Sequence, residues 1–414
     1  MAKGTKGHAV IAGAGIGGLT AAVALHRAGW RVTVCERAAG PSAAGAGIVL
    51  APNALRAFEA IGFGTGTWAG DAVAPAMGTR NTDGRPLMRA DTDALAARYG
   101  RPPLAVHRAA LSAALADALP ADALCYGTRV TGVDHADPAG RVGGAGRADE
   151  APRTGATAGR RPVVRTSAGD LTADVVLAAD GIHSPLRRLF FPTHPGLRYS
   201  GETAWRTVVP GEGLAPAEAG ETWGRGMRFG VVPLADGRVY VYATARVPEG
   251  TRPADPKAEL ARRFGTWHAP LPALLDRIDP AALLQHDLYD LAAPLPRYHH
   301  GRIAWLGDAA HAMTPNLGQG GCQAIEDAVV LAHLLDAAPD PQAVPAALAR
   351  YTAARHPRTN AILVRSRRAG TVAGLTHPLA VALRDAALRA TPARAAHRAL
   401  DGLYGGFRLP PAAA

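Results

Sequence analysis

Short apolar runs alternate along this chain with glycine-rich turns and longer amphipathic stretches, the pattern of an α/β protein. Residues 9–12 (AVIA) form the first run, and Gly13, Gly15, Gly17 and Gly18 follow at once. An Ala- and Leu-rich stretch then reads as a helix to Ala28, with Gly29 as its stop signal. Residues 31–35 give a second strand, closed by Glu36. Similar strands at 175–179 and 303–306 end at Asp180-Gly181 and Gly307-Asp308. The first leads to a helix start at His183-Ser184, the second through a Pro- and Gly-rich loop to an amphipathic helix from about Cys322. From 196 to about 291 the pattern changes to strands, clearest at 202–209, 227–232 and 239–245, with a turn at Ala235-Asp236-Gly237. With residues 78–90 this block predicts a sheet-based lobe. Residues 135–162 lack any apolar period and read as a long flexible loop between strands at 124–133 and 163–166. Stretches 343–367 and 379–403 predict helices whose Arg faces read as solvated surface or a dimer edge.

Composition narrows the classes. The 414 residues suffice for two packed lobes, and a net charge of +11 is almost entirely Arg, since Lys stands only at 3, 6 and 257. Those Arg are dispersed and aromatics are 5% of the chain, which argues against nucleic-acid binding. The bias towards Arg, Ala, Gly and Pro reads as GC-rich coding rather than as a binding surface. Cys35, Cys125 and Cys322 are far apart and odd in number, which fits a reducing cytoplasm rather than a disulfide framework. No apolar run of membrane-spanning length occurs, and glycines break the N-terminal apolar stretch before it could act as a signal peptide. No metal cluster is convincing. His299-His300 reads as surface, and His311 as a structural hydrogen-bonding residue.

The first unit has a physical reading on its own. Gly13 permits a tight turn, Gly15 lets backbone approach a pyrophosphate, and Gly18 lets helix pack closely on strand. The helix N-terminus then faces the phosphates, and Glu36 can accept hydrogen bonds from a ribose diol. The motif predicts a dinucleotide site without choosing between FAD and NAD.

Two further segments, Asp180-Gly181 and Gly307-Asp308, together with VHRAAL around Arg108 and GAGIVLAPNAL at 45–55, make that choice. In this combination the chain resembles the group A flavoprotein aromatic hydroxylases, the para-hydroxybenzoate hydroxylase-like family. The resemblance implies a Rossmann-like FAD-binding lobe, a β-sheet substrate lobe and C-terminal helices. The FAD lobe is assigned 1–75, 101–192 and 292–340, the substrate lobe 76–100 and 193–291, and the helices 341–414. It further implies that Asp308 bonds the ribityl chain, that Asp180-Gly181 supports both FAD and the incoming nicotinamide nucleotide, and that Arg108 lies on the pyrophosphate side. The expected cofactor set is Gly13, Gly15, Gly18, Glu36, Arg37, Gly47, Arg108, Asp180, Gly181, Gly307, Asp308, Gly318, Gly320, Gly321 and Cys322.

Physics adds that a helix starting after Gly318-Gln319-Gly320-Gly321 offers unpaired N–H groups to the negative edge of reduced flavin, Cys322 contributing backbone only. Pro315 is expected near the flavin carbon where oxygen adds. The resemblance implies reduction of FAD by NADPH or NADH, addition of O2 at flavin C4a, and hydroxylation or epoxidation of an electron-rich aromatic, polyketide or similar small molecule by the hydroperoxide. Trp205-Arg206 is the leading substrate-lobe candidate: Arg206 can stabilise reduced flavin, the peroxide or an anionic substrate, or be a cross-strand ion-pair partner. Trp205, Trp223, Met227 and Phe229 are candidate pocket walls. A Tyr two positions before such a Trp-Arg pair, usual in the family it resembles, is absent, with Glu202 and Thr203 standing there. Other reactions on this fold remain as alternatives, as does a non-catalytic FAD-binding protein. The flavin halogenases are disfavoured, because no two Trp stand two apart and residues 7–256 contain no Lys. A monomer or homodimer is expected.

Overall fold

The computed structural model describes residues 5–41, 46–67, 78–89, 92–135, 161–213, 219–234, 236–338 and 340–411. Residues 136–160 of the expected loop, and Gly45, lie outside that set.

The first lobe is built on a six-stranded sheet in the order His299–His300, Ile303–Trp305, Val175–Ala178, His8–Ala12, Arg31–Glu36, Leu124–Tyr126. All neighbours are parallel except the antiparallel edge strand His299–His300. His8–Ala12 and Val175–Ala178 are buried along their whole length, which explains their continuous apolar runs. Burying Val10 or Ile11 in this way contributes about 1.5–3 kcal/mol each. The sheet builds out first on one side of His8–Ala12 and then on the other, and because these four strands are parallel the loops after Ala12, Ala178, Glu36 and Trp305 all open at the same carboxyl edge. In sheets of this kind ligands bind at that edge, where the strand order switches. Helix Ile16–Arg27 covers one face. Gly17 brings it against helix Gly320–Asp336: a Cβ there would meet Leu306 Cδ1 at 2.9 Å and Ala324 Cβ at 3.1 Å.

The second lobe is a seven-stranded sheet in the order Leu284–Leu291, Leu197–Pro210, Arg238–Arg246, Met227–Pro233, Gly220–Trp223, Gly78–Asn81, Pro86–Arg89. One face is apolar and packs on helices Pro256–Phe264 and Leu271–Asp276. The strand-rich reading of this region missed both helices, although Asp255 caps the first and Leu260 and Phe264 repeat at helical spacing. The other face meets the first lobe. Tyr240 and Val232 pack with Ala105, Ala46, Val49 and Val208, where hairpin Gly47–Leu50 and Leu104–His107 leans on the sheet.

The C-terminal region is three helices rather than two stretches. Val344–Ala373 runs 30 residues through Pro357, and Pro378–Ala390 and Ala393–Tyr404 are separated at Thr391-Pro392. No helix among the described residues is long and apolar enough to cross a membrane.

Candidate active site

The cradle at the carboxyl edge is defined first by what its glycines exclude. Gly13 has φ +105°, and a Cβ there would lie 2.5 Å from the Ala179 carbonyl oxygen. A Cβ on Gly18 would sit 2.0 Å from the Gly13 carbonyl oxygen. At Gly15, which precedes helix Ile16–Arg27, a Cβ would meet nothing within 4 Å, so the backbone stands open to an approaching group. The Glu36 carboxylate accepts from Ala14 N (2.8 Å) and Ala38 N (2.9 Å), fixing it beside the turn. Arg37 follows, exposed.

Opposite lie the other two loops. Asp180 Oδ2 accepts from Leu186 N at 3.1 Å, while its buried Oδ1 has no partner. Burial pushes the Asp180 carboxyl above its ordinary value, against the pull of Ser184 and the Leu186 N–H. Gly181 has φ +79°. Gly307 (φ +58°) turns the chain so that Asp308 is exposed at the edge, its Oδ1 3.9 Å from where a Gly320 Cβ would stand. Turn Pro315–Leu317, with Pro315 exposed, and left-handed Gly318 lead into helix Gly320–Asp336. The first N–H groups of that helix have no partner within it. Gly321 lies against Ile48, so strand Gly47–Leu50 runs past the helix start. Cys322 joins them: its sulfur accepts from Ala51 N at 3.5 Å and burial pushes the thiol up to about 12. These features fit a long dinucleotide with its flavin end at the helix start. The open Gly15, the exposed Asp308 and the unpaired Asp180 oxygen supply the approach and the acceptors that a pyrophosphate, a ribityl chain and its hydroxyls require.

Behind the helix start lies a buried polar network. Asp327 Oδ2 accepts from Gly307 N (3.0 Å) and meets His311 Nε2 (2.5 Å), and its Oδ1 accepts from Arg355 Nε (2.7 Å). Glu326 accepts from Arg355 (2.5 Å), Arg358 (2.8 Å) and Asn53 Nδ2 (2.7 Å), and Asn53 also donates to Gln319 (3.0 Å). The turn that presents Asp308 is therefore anchored from beneath by paired charges.

Across the cleft, strand register places Arg206 beside Tyr242 and Leu284, with Val208 beside Tyr240 and Ala204 beside His286 on the same face. Arg206 is half-buried and has no acidic partner among the described residues. The sheet's carboxylates are already engaged: Glu202 with Arg228 (2.9 Å), Glu221 with Tyr242 and Trp223, Asp287 with Arg252 (3.1 Å), Asp290 with Arg198 and Arg367. Burial raises the Tyr240 hydroxyl, while Arg206 and Arg108 pull it down; burial, then Arg206 and Arg252, lower His286. Arg206 and Arg108 thus bring positive charge to this side of the cleft.

A family model for an FAD binding domain matches residues 6–366. The chain is 38% identical over 383 residues to an aurachin C monooxygenase/isomerase of Stigmatella aurantiaca, covering 92% of this chain and 93% of that protein. It is 32% identical over 411 residues to a 2-heptyl-3-hydroxy-4(1H)-quinolone synthase of Pseudomonas aeruginosa, covering 96% and 97%. Among solved structures it is similar to Klebsiella pneumoniae HpxO complexed with FAD and uric acid, at TM-score 0.82 and 29% identity over 97% of this chain and 96% of that one. The chain belongs to the group A FAD-dependent monooxygenases.

Within this monooxygenase the turns at Gly13–Gly18, Asp180-Gly181 and Gly307-Asp308 follow parallel strands at one edge, but not every expected side chain faces the cleft. Trp205 and Phe229 are about 1% exposed and pack with Phe264 and Leu260 on the helix-covered face. Met227 packs there too, 3.9 Å from Arg263. They are lobe core and not pocket walls: neighbours along a strand point to opposite faces, and Arg206 takes the cleft side. Trp223 shares Arg206's face but stands at the far side of the sheet, under Arg384 at 5.4 Å. Gly47 has a packing reason as well: a Cβ would meet the Tyr240 ring at 2.5 Å, so the glycine lets the lobes close. Arg108 is exposed at the start of helix Arg108–Asp117, its N–H bonded to Ala46 O at 3.0 Å. The sequence reading did not single out Tyr240, Tyr242, Glu221 or the Asp327–Arg355 network. For Asp308→Ala, FAD affinity is expected to fall roughly tenfold or more, the loss of an acceptor worth about 1.5–3 kcal/mol. Equilibrium titration of apoprotein with FAD checks this, and wild-type affinity would remove Asp308 from the site.

Proposed function

We propose that this monooxygenase uses NADPH or NADH and O2 to hydroxylate a planar aromatic or heteroaromatic small molecule bearing an acidic ring oxygen or nitrogen. The observation that carries this is Arg206, a half-buried cation on the cleft face whose neighbouring carboxylates are all engaged elsewhere. A substrate anion would complete it at little cost, since no internal ion pair need break. The names of similar proteins, a hydroxyquinolone synthase and a urate hydroxylase, agree with ring substrates of that kind.

Bound FAD would supply the redox chemistry, carrying electrons from the nicotinamide to O2. Gly13, Gly15, Gly18, Glu36, Asp180 and Asp308 would hold it, Arg37, Gly181 and Gly307 lying on the same edge and Arg108 at the end of the hairpin that faces it. The first N–H groups of helix Gly320–Asp336, at Gly320, Gly321 and Cys322, would favour negative charge on its ring edge. Pro315 and Gly318 would shape the space over it. Arg206 holds the substrate's ionised atom, which keeps the ring electron-rich and fixes its orientation. Tyr240, Val208 and Val232 close the cleft against water.

The test is NAD(P)H oxidation in air with hydroxybenzoates and 4-hydroxyquinolines, followed by mass spectrometry for a gain of one oxygen. With Arg206→Met, kcat/KM for an acidic ring is expected to drop roughly tenfold to hundredfold, the range of truncating one side of a charge pair. Equal loss for neutral and anionic rings would return Arg206 to a structural role.

A further inference from the structure

The geometry points to Tyr242 as the residue that sets which ring sizes fit beside Arg206, through a latch made by Glu221 and Gly230. This rests on the reading of the Arg206 face as the substrate side.

Tyr242 stands directly across from Arg206 on one strand and from Gly230 on the other. An ordinary side chain at 230 would rise on the same face and meet the ring. A Cβ there would lie 2.0 Å from Tyr242 Cζ and 2.2 Å from Cε1, so the ring occupies the space that the missing side chain leaves. The hydroxyl donates to Glu221 Oε1 at 2.6 Å, one strand further from Arg206. Glu221 is fixed in turn, its Oε2 accepting from Trp223 Nε1 at 2.6 Å, with Arg384 over the Trp223 ring. Burial and the Glu221 carboxylate hold the Tyr242 phenol well above its ordinary range, so it stays a donor.

The consequence is spatial. Tyr242 is drawn across Gly230 towards Glu221, on the side of its strand away from Arg206. Tyr240, whose ring centroid is 5.6 Å from that of Tyr242, packs on Gly47 and bounds the Arg206 face on the side of the first lobe. Were Tyr242 upright, its ring would fill the floor next to Arg206. The latched position therefore admits a fused bicyclic ring with its acidic atom at Arg206, and an unlatched one favours a single ring. Tyr242 is a positioning and specificity residue rather than a catalytic one.

The experiment uses the FAD-loaded enzyme and follows the flavin absorbance during titration with 4-hydroxyquinoline, 2-heptyl-4-hydroxyquinoline and 4-hydroxybenzoate. Gly230→Ala forces the ring towards Arg206, whereas Tyr242→Phe and Glu221→Leu remove the latching hydrogen bond while keeping the ring's size. Each variant is measured only on protein that retains stoichiometric FAD. Gly230→Ala is expected to weaken the bicyclic ligands at least about tenfold relative to 4-hydroxybenzoate, and the two release variants to shift that ratio the same way by less. A ratio unchanged in all three variants overturns the latch. Failure of every ring to perturb the wild-type flavin overturns the substrate reading of the Arg206 face itself, a separate result.

Discussion

Arg355→Ala is expected to cost about 3–5 kcal/mol of stability, because it leaves buried Asp327 without its arginine countercharge and strips Glu326 of one of its two. Arg355 donates to Asp327 at 2.7 Å and to Glu326 at 2.5 Å, and all three side chains are almost wholly buried. Arg358 would remain for Glu326, but Asp327 would keep only His311 and the Gly307 N–H. The loss should therefore reach the Gly307-Asp308 turn as well as the fold. Denaturant unfolding would measure the first effect and FAD titration the second. Stability within about 1 kcal/mol of wild type would show that the network is dispensable.

The same network predicts an acid limit. Burial alone would raise the Asp327 carboxyl, but His311 and Arg355 outweigh it and hold the group at about 2, below its ordinary 3.8. A folded-state value below the unfolded one stabilises the protein above pH 3.8, and that contribution is lost as pH falls towards 2. Unfolding midpoints measured between pH 5 and 2, compared with those of Asp327→Asn, check the sign; a variant that tracks wild type throughout this range would refute it.

Gly18→Ala is expected to leave a folded protein with little bound FAD. A methyl there cannot avoid the Gly13 carbonyl oxygen, 2.0 Å away, and that atom is backbone on the turn itself. The helix and the turn must move apart, at about 1–3 kcal/mol, which is roughly tenfold to hundredfold in affinity if borne by the binding site. Gly15→Ala is the informative companion, since its methyl meets nothing in the protein and would act through the cofactor alone. Flavin-to-protein absorbance ratios after purification distinguish the two. Full flavin content in Gly18→Ala would mean that the turn yields without consequence.

Sequence reading was strongest where one short segment carries a whole physical task. Gly13, Gly18 and Glu36 form such a segment, and Gly307-Asp308 at a strand end forms another. It failed where the deciding partner is distant or where two faces compete. Nothing local marks Arg355 as the partner of Asp327, 28 residues earlier. Trp205 and Arg206 are adjacent and so face opposite ways, but alternation alone does not say which face meets the flavin lobe. The answer lies in helix Pro256–Phe264, which takes the Trp205 side, and in Gly47, which brings Tyr240 and the first lobe to the other. The absence of a side chain at Gly230 is equally silent until the Tyr242 ring is seen lying across it.

Helix Val344–Ala373 touches the site's support in both lobes. Arg355 holds the acids behind Gly307, Ser366 donates to Thr314 O at 2.6 Å before the Pro315 turn, and Arg367 reaches Asp290 of the second sheet at 2.6 Å. One rod thus indexes the flavin loops and the substrate sheet to each other. For enzyme engineering, this makes the helix part of the substrate module despite its place in the chain. A chimaera that imports a relative's sheet should import that relative's matching helix too, or its two halves will be built to different gauges.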